Sequence, residues 1–593
     1  MHLPAFYQSA CSACDDRIRV LRRKSNILAL VRLLLFVGLV YSIYWLARHY
    51  SPPLLILPVG VAALFIACVN FHFRLKDERI LWEKLRFVNA NELDILEGKA
   101  SDFPNGLDFL DPDNYLDDLD IFGSASLFHV LNRTTTSHGT AALATLLRQS
   151  FLSPADILRQ QSAIRPLAAQ ADIRRLLTAK GLVAGEKEGD LNSLNDWLNG
   201  ESRLYQRKGL RIGIAVLTLF NLWTIYFLLD TGNYLPLIAG ILVCRLITGY
   251  FSKYVGRQHD LISRKQVVLN QYADILAVFS TVDGAGSPLL EQLKARAASA
   301  YKAIRQLSQL ASYFDSRMNL LVNTFLNSLV FYDLQCMVAL ERWKARYKKE
   351  VPLWIQAVGE IECLNSLATF AFNNPDHIYP LPVESGGNLL IEATGLAHPL
   401  IPASRRIAND FTIGRNERLI LVTGSNMSGK TTFLRTIGVN LLLAQCGAPV
   451  CATSFTFTPM QLLTSLRISD SLQEQTSYFM AELKKLQRIV HRLQTGVPAL
   501  VLIDEILRGT NSEDKTYGSE QFTRKLVAYG CLSLFATHDL SLGRLEEELP
   551  GVISNYCFES VIEAGDLHFN YRLQRGIARN RNASFLMKKM DII

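Results

Sequence analysis

Three stretches in the last third of the chain carry side chains that, brought together, could hold a polyphosphate and hydrolyse it. The first is Gly424-Ser-Asn-Met-Ser-Gly-Lys-Thr-Thr432, preceded by the apolar run 419–422 and followed by a helical pattern over 433–445. Gly424 and Gly429 let the backbone wrap an anion without Cβ clashes. The N–H groups of Ser425, Asn426, Met427 and Ser428 and the start of the following helix then face the phosphates. Lys430 can reach the β- and γ-phosphates, the Thr431 hydroxyl can hold Mg²⁺, and Thr432 closes the motif. The second stretch is the apolar run 499–503 ending in Asp504-Glu505. Asp504 is placed to bind Mg²⁺ through water and Glu505 to polarise the attacking water. The third is the apolar run 532–536, ending at Thr537-His538-Asp539, where His538 can sense the γ-phosphate and position water. The combination predicts an ATPase that uses ATP and Mg²⁺.

Side chains so far apart in sequence converge only if a sheet brings the strand ends together. From about residue 389 the chain shows short β-branched runs separated by Gly, Asn and Asp, which predicts an α/β domain lasting to the C-terminus. Upstream, residues 121–199 and 263–372 repeat apolar residues at three- and four-residue spacing, which predicts an all-α body of amphipathic helices. Residues 92–120 are acidic and interrupted by Pro104 and Pro112, and read as a linker.

The 593 residues carry 62 Lys+Arg against 54 Asp+Glu, a formal net charge of +8, with 49% hydrophobic residues and no low-complexity stretch. That composition excludes wholesale disorder. The mean hydropathy of +0.14 is high for a soluble chain, and the excess is localised. Residues 27–47 are apolar except for Arg32, 54–73 and 212–229 carry no charge, and 234–251 contain only Arg245. Each run of about 20 residues suffices to cross a ~30 Å hydrocarbon layer as a helix. Paired by the short connections 48–53 and 230–233, they predict two transmembrane hairpins, four transmembrane helices in all. Arg17, Arg19, Arg22, Arg23 and Lys24 precede the first hairpin, and Arg74 and Lys76 follow it. Arg203, Arg207, Lys208 and Arg211 precede the second, and Lys253 and Arg257 follow it. The excess of cations outside the tips places both termini and the ATPase domain in the cytoplasm, in a multi-pass protein of the cell inner (plasma) membrane. The ten Cys lie in apolar contexts with no disulfide framework, which fits a reducing compartment.

Further residues carry a family resemblance. The loop Gly424–Thr432, with Asn426-Met427, resembles the phosphate loop of the MutS mismatch-repair ATPases. Asp504-Glu-Ile-Leu-Arg-Gly-Thr-Asn511 is similar to that family's signature after the acidic pair, Ser477-Tyr-Phe-Met-Ala-Glu482 to its trans-acting segment, and Phe535-Ala-Thr-His-Asp539 to its histidine motif. Gly395-Leu-Ala-His-Pro-Leu400 and Asn409-Asp410 resemble the lead-in to the domain, and Leu567-His-Phe-Asn-Tyr-Arg-Leu573 a late strand. Phe122-Gly-Ser and Leu127 to Thr134 resemble the start of the family's helical core. Ser425, Ser428 and Thr431 stand where the family has Pro, Gly and Ser, and Leu507 stands where its signature has Gly. Membrane runs occupy the end at which relatives carry a mismatch-reading domain, so mismatch recognition is not expected. The second hairpin interrupts the core where relatives carry a DNA clamp.

The expected fold class is therefore α plus α/β: transmembrane hairpins, an all-α core and lever, and a C-terminal P-loop, ABC-like ATPase domain. The organisation is an N-terminal cytoplasmic segment (1–25), hairpin 1 (26–73), a linker (74–117), the first part of a MutS-like core (118–209), hairpin 2 (210–252), the second part of core and lever (253–390) and the MutS-like ATPase domain (391–593). The resemblance implies a homodimer with composite sites, in which Ser477 of one subunit faces the γ-phosphate held by the other, and DNA as the partner. Lys344, Arg346, Lys348 and Lys349 are the candidate phosphate contacts to DNA. The alternative is an ATP-driven remodeller or transporter-like membrane protein that does not act on DNA. The spans lack paired acidic residues that would line a polar route, and the transporter signature Leu-Ser-Gly-Gly-Gln is absent.

Overall fold

The computed structural model describes residues 2–49, 56–111, 115–150, 153–184, 190–262, 266–467, 478–507, 511–563 and 566–579. Helices account for most of the chain, and an α/β region closes it. Two long helices come first, α1 (Leu3–Arg48) and α2 (Ile56–Leu96). The body follows as α3 (Leu127–Leu131), α4 (Ser137–Arg148), α5 (Pro154–Ala169), α6 (Ala171–Ala184) and α7 (Asp190–Asn199). The pair α8 (Lys208–Thr231) and α9 (Leu235–Ile262) interrupts it. It resumes with α10 (Gln266–Phe279), α11 (Pro288–Asp315), α12 (Leu320–Val330), α13 (Tyr332–Tyr347) and α14 (Val351–Asn373).

Four helices, α1, α2, α8 and α9, are long and apolar enough to cross a membrane. Their apolar stretches turn side chains such as Leu34 (63% exposed) and Leu219 (67%) outward, an arrangement unfavourable in water over so large an area. The helices of the first pair outrun their apolar segments. With 46 residues, α1 is about 69 Å long. Below the apolar zone α1 and α2 stay antiparallel through the ion pairs Arg17–Glu78 and Arg86–Asp15, each at 2.6 Å. The Tyr7 hydroxyl donates to Asn373 Oδ1 at 2.7 Å and ties this stalk to the end of α14.

The acidic segment read as a linker is built into the fold instead. Helix α2 continues to Leu96, and its buried Glu92 pairs with buried Arg133. Asp118 takes hydrogen bonds from the Thr464 hydroxyl (2.9 Å), Leu466 N–H (2.8 Å) and Lys485 Nζ (2.6 Å). The acidic composition that reads as solvated loop is thus matched by cations and N–H donors hundreds of residues away.

The α/β region contains β1 (Leu381–Pro382), β2 (Leu390–Leu396), β3 (Asn409–Gly414), β4 (Leu419–Gly424), β5 (Ser454–Phe457), β6 (Gln461–Ser465), β7 (Ala499–Asp504), β8 (Leu532–Thr537), β9 (Ile553–Glu563) and β10 (Asp566–Arg575). One sheet has the order β1-β5-β2-β3, and the larger has the order β10-β9-β4-β8-β7-β6. In the larger sheet every pair is parallel except β9–β10. Strands β4, β7 and β8 are apolar runs buried on both faces, as helix-covered parallel strands require. Helix α15 (Lys430–Gln445) packs under this sheet, and α16 (Tyr478–Leu493) and α17 (Ser512–Ala528) complete the layers. One apolar core runs from the helical body, through Leu119 and Phe128, to Ile437 and Leu502 beneath the sheet.

Candidate functional site

Register places the three candidate stretches in a row. Thr423 of β4 lies opposite Thr537 of β8, and Ala536 of β8 opposite Asp504 of β7. The residues that follow each strand, the Gly424 loop, Glu505 and His538, therefore emerge together at the carboxyl edge of the sheet, where parallel α/β sheets place their ligand crevices. They line a cleft of about 700 Å³.

The loop closes tightly. A Cβ on Gly424 would stand 2.8 Å from Ser428 Oγ and 2.9 Å from the Phe558 carbonyl oxygen, and one on Gly429 (φ +105°) 3.0 Å from the Tyr571 ring. Both positions require glycine. Lys430 opens α15 and folds back, its ammonium donating to the carbonyls of Gly424 and Ser425 at 2.9 Å each and lying 3.4 Å from His538 Nε2. Burial and this neighbouring cation push the His538 pKa down, which keeps the imidazole neutral. The Thr431 hydroxyl donates to Asp504 Oδ2 at 2.5 Å. These two hard oxygen donors at the loop mouth suit Mg²⁺, which binds through few protein oxygens and completes its shell with phosphate and water. Glu505, in the left-handed region at φ +53°, meets Lys515 Nζ of α17.

Asn426, Met427, Ser428 and Thr432 also line the cleft. Met427 is 82% exposed at φ +65°, at the loop's outer rim. Ser425 supplies its carbonyl to Lys430. Ser477 lies outside the described residues, as do residues 508–510 of the signature. Leu507 holds φ +59° where the family has glycine. A Leu in that region carries backbone strain, here offset by burial and by its N–H, which donates to Glu482 Oε1 at 2.7 Å. Glu482, the last residue of the trans-acting segment, is fully buried in the second turn of α16.

Sequence reasoning missed the cationic wall of the cleft. Arg435, one turn beyond Thr431 on α15, and Arg467 after β6 both face in and both bind Asp120, Arg435 at 3.0 Å and Arg467 at 2.6 Å. Arg405, Arg406 and the ring of Tyr571 complete the rim. The one usable signal was helical spacing, which sets Arg435 four residues after Thr431 on the same face of α15. Lys344, named above as a phosphate contact, is buried. Its ammonium donates to the Gly200 carbonyl and lies 5.5 Å above the Trp197 ring, so it cannot reach DNA.

The sheet order and the loop at its carboxyl edge define an α/β domain with a tight glycine-flanked turn beside an acidic strand end. The family model of MutS domain V matches residues 420–588. The DNA mismatch repair protein MutS of Thermotoga petrophila is 30% identical over 234 residues, 39% of this chain and 29% of that protein. Its namesake in Chlorobium phaeobacteroides is 30% identical over 264 residues, 43% of this chain and 29% of that protein. That of Listeria monocytogenes is 32% identical over 234 residues, 38% of this chain and 26% of that protein. The C-terminal part of the chain, residues 420–588, is thus similar to domain V of the MutS family. The match spans less than a third of the length of those relatives.

Proposed function

We propose that the chain is a membrane-anchored MutS-like ATPase that works as a dimer on the cytoplasmic side and couples ATP binding and hydrolysis to movement of its helical body. The observation that carries this reading is the convergence of the Gly424–Thr432 loop, Asp504, Glu505 and His538 at one sheet edge. The loop N–H groups and the α15 N-terminus receive the phosphates, and Lys430 exchanges its loop carbonyls for β- and γ-phosphate oxygens. Thr431 and Asp504 hold Mg²⁺, which when bound offsets phosphate charge. Glu505 orients the attacking water and takes its proton, and neutral His538 donates or accepts one hydrogen bond at the γ-phosphate. Ser477 of the partner subunit would complete the site, so that ATP closes the dimer and hydrolysis relaxes it. Asp120, at the head of the helical body, holds two cleft arginines and offers the path by which closure reaches the helices. The four apolar helices support the anchor, and the relatives' mismatch-repair role supports DNA as the partner.

The ATPase rate of the detergent-purified protein, measured with and without duplex, branched and single-stranded DNA, tests the reading. Magnesium-dependent hydrolysis stimulated or inhibited by DNA is expected. Absence of hydrolysis overturns the enzyme; hydrolysis unmoved by any DNA points to an ATP-driven remodeller instead.

A further inference from the structure

The α8–α9 pair does not stand alone. The short apolar helix α12 packs along both of its helices, and the chain then reverses sharply at Phe331 (φ +53°, fully buried) into α13. Two contacts fix the height of this reversal. At its upper end, Asn221 Nδ2 donates to the Leu329 carbonyl at 3.0 Å. Asn221 lies nine residues into the apolar run that begins at Ile212, about 14 Å along the helix axis and close to the middle of a ~30 Å hydrocarbon layer. At its lower end, Glu341 of α13 accepts from the N–H groups of Leu204 (2.9 Å) and Tyr205 (2.7 Å), just before α8 begins. There Arg211 and Arg342 both lie against the Tyr205 ring, at the level of the cations that flank the span.

From these marks we infer that α12 and α13 form a re-entrant helical hairpin that enters the bilayer from the cytoplasmic side beside α8 and α9, and that the outer face of α12 contacts lipid acyl chains. The inference rests on the membrane reading of α8–α9. Four of the backbone groups at the reversal are bonded by protein, as hydrocarbon demands of groups it surrounds. The Leu329 carbonyl takes the Asn221 amide, the Val330 carbonyl takes Gln335 Nε2 (2.6 Å), the Phe331 carbonyl takes Gln335 N–H (2.9 Å), and Asp333 N–H donates to Asn327 Oδ1 (2.8 Å). Asp333 is itself buried and paired with Arg317 at 3.2 Å, as an acid near this depth must be. Between Asp333 and Glu341 helix α13 carries no charge. The face of α12 turned from α8 and α9 presents Phe325, 62% exposed, with Leu326 beside it. The occupant is the same lipid that covers Leu219, because α12 packs along α8, which carries Leu219, and both residues are exposed. Since α13 also packs on α11, movement of the body would reach the middle of the membrane.

The test places benzoylphenylalanine at Phe325, Leu219 or Ser299 of the full chain, reconstituted in phosphatidylethanolamine and phosphatidylglycerol bilayers, and reads lipid adducts by mass after illumination. Ser299 is exposed on α11, well below the proposed entry level. Adducts are expected at 219 and 325 in comparable yield, with loss of adduct at 299. Adducts at 219 without adducts at 325 overturn the re-entrant hairpin and leave the anchor standing. No adducts at either position overturn both. Equal adducts at all three positions also overturn the inference, because the label then reports no depth.

Discussion

Glu505 Oε1 lies 2.5 Å from Lys515 Nζ, so the carboxylate at the end of β7 is aimed by a cation on α17 before any substrate arrives. Its backbone is fixed as well, Glu505 N–H donating to the Ala536 carbonyl at 2.9 Å on the neighbouring strand. A group held so firmly at the strand end suits water positioning. Glu505→Gln is therefore expected to bind ATP with parental affinity and hydrolyse it roughly 10²- to 10⁴-fold more slowly. Parental turnover in the purified variant would move the base elsewhere, with His538 first.

Lys430→Ala should abolish ATP binding or weaken it severely. The ammonium that now bonds the Gly424 and Ser425 carbonyls is the group that would otherwise meet the phosphates. Equilibrium binding of a fluorescent nucleotide reads this directly, and tight binding by the variant would count against the loop assignment. Thr431→Ala should instead leave binding measurable and reduce its Mg²⁺ dependence, since Asp504 would lose the hydroxyl beside it.

Buried His377 and half-buried His398 make a pH prediction. Burial, with Arg406 near His377 and Arg435 near His398, pushes each pKa from 6.5 down to about 4. The folded protein then binds fewer protons than the unfolded chain between these values. Stability is fully present above about pH 6.5, falls as pH drops towards 4, and levels off below it, by on the order of 3 kcal/mol per residue at most. Thermal unfolding between pH 7 and 4 measures the loss, and His377→Gln should remove part of it. An unchanged slope in that variant would show that His377 does not titrate on unfolding.

What was legible in the sequence follows from which forces are local. The loop, the buried strands 419–422, 499–503 and 532–536, and the four apolar runs announce themselves through short-range pattern, and the helices of the body through their spacing. Asp118 and Asp120 read as a solvated linker because their partners Lys485, Arg435 and Arg467 lie more than three hundred positions away. Lys344 sits in a basic stretch that reads as exposed, yet Trp197 and Gly200 on another segment bury it. The Phe331 reversal was hidden because its partner, Asn221, lies inside an apolar run where a lone amide carries no pattern.

Topology is open to direct measurement. Reporters fused after Lys24, near Ser101, near Ser263 and at Ile593 should all report cytoplasm, and one at Asp230 the opposite side. The ion-paired stalk of α1 and α2 is tied to the body through Tyr7 and Asn373, so on the proposed reading residues 3–26 and 74–96 share the body's side of the membrane. An outward signal from the Ser263 fusion would overturn the two-hairpin arrangement.

The last prediction concerns DNA. On the proposed reading, affinity for DNA comes from cations on phosphates, and binding is expected to be indifferent to a mismatch. It should weaken with salt by about 0.9 log units per log unit of salt for each phosphate neutralised. Arg346, Lys348 and Lys349 remain exposed near the end of α13, whereas Lys344 is buried. Arg346→Ala should therefore lower the salt slope by about one contact. Lys344→Ala should leave the slope alone and lower thermal stability, because it removes a packed, hydrogen-bonded side chain from between Trp197 and Gly200. Heparin separates DNA binding from plain polyanion attraction, since only a duplex held by the dimer should be released when ATP closes the cleft. Binding no tighter than to heparin and blind to ATP removes DNA as the partner, and a clear preference for mismatched duplex overturns the expectation of mismatch-blind binding.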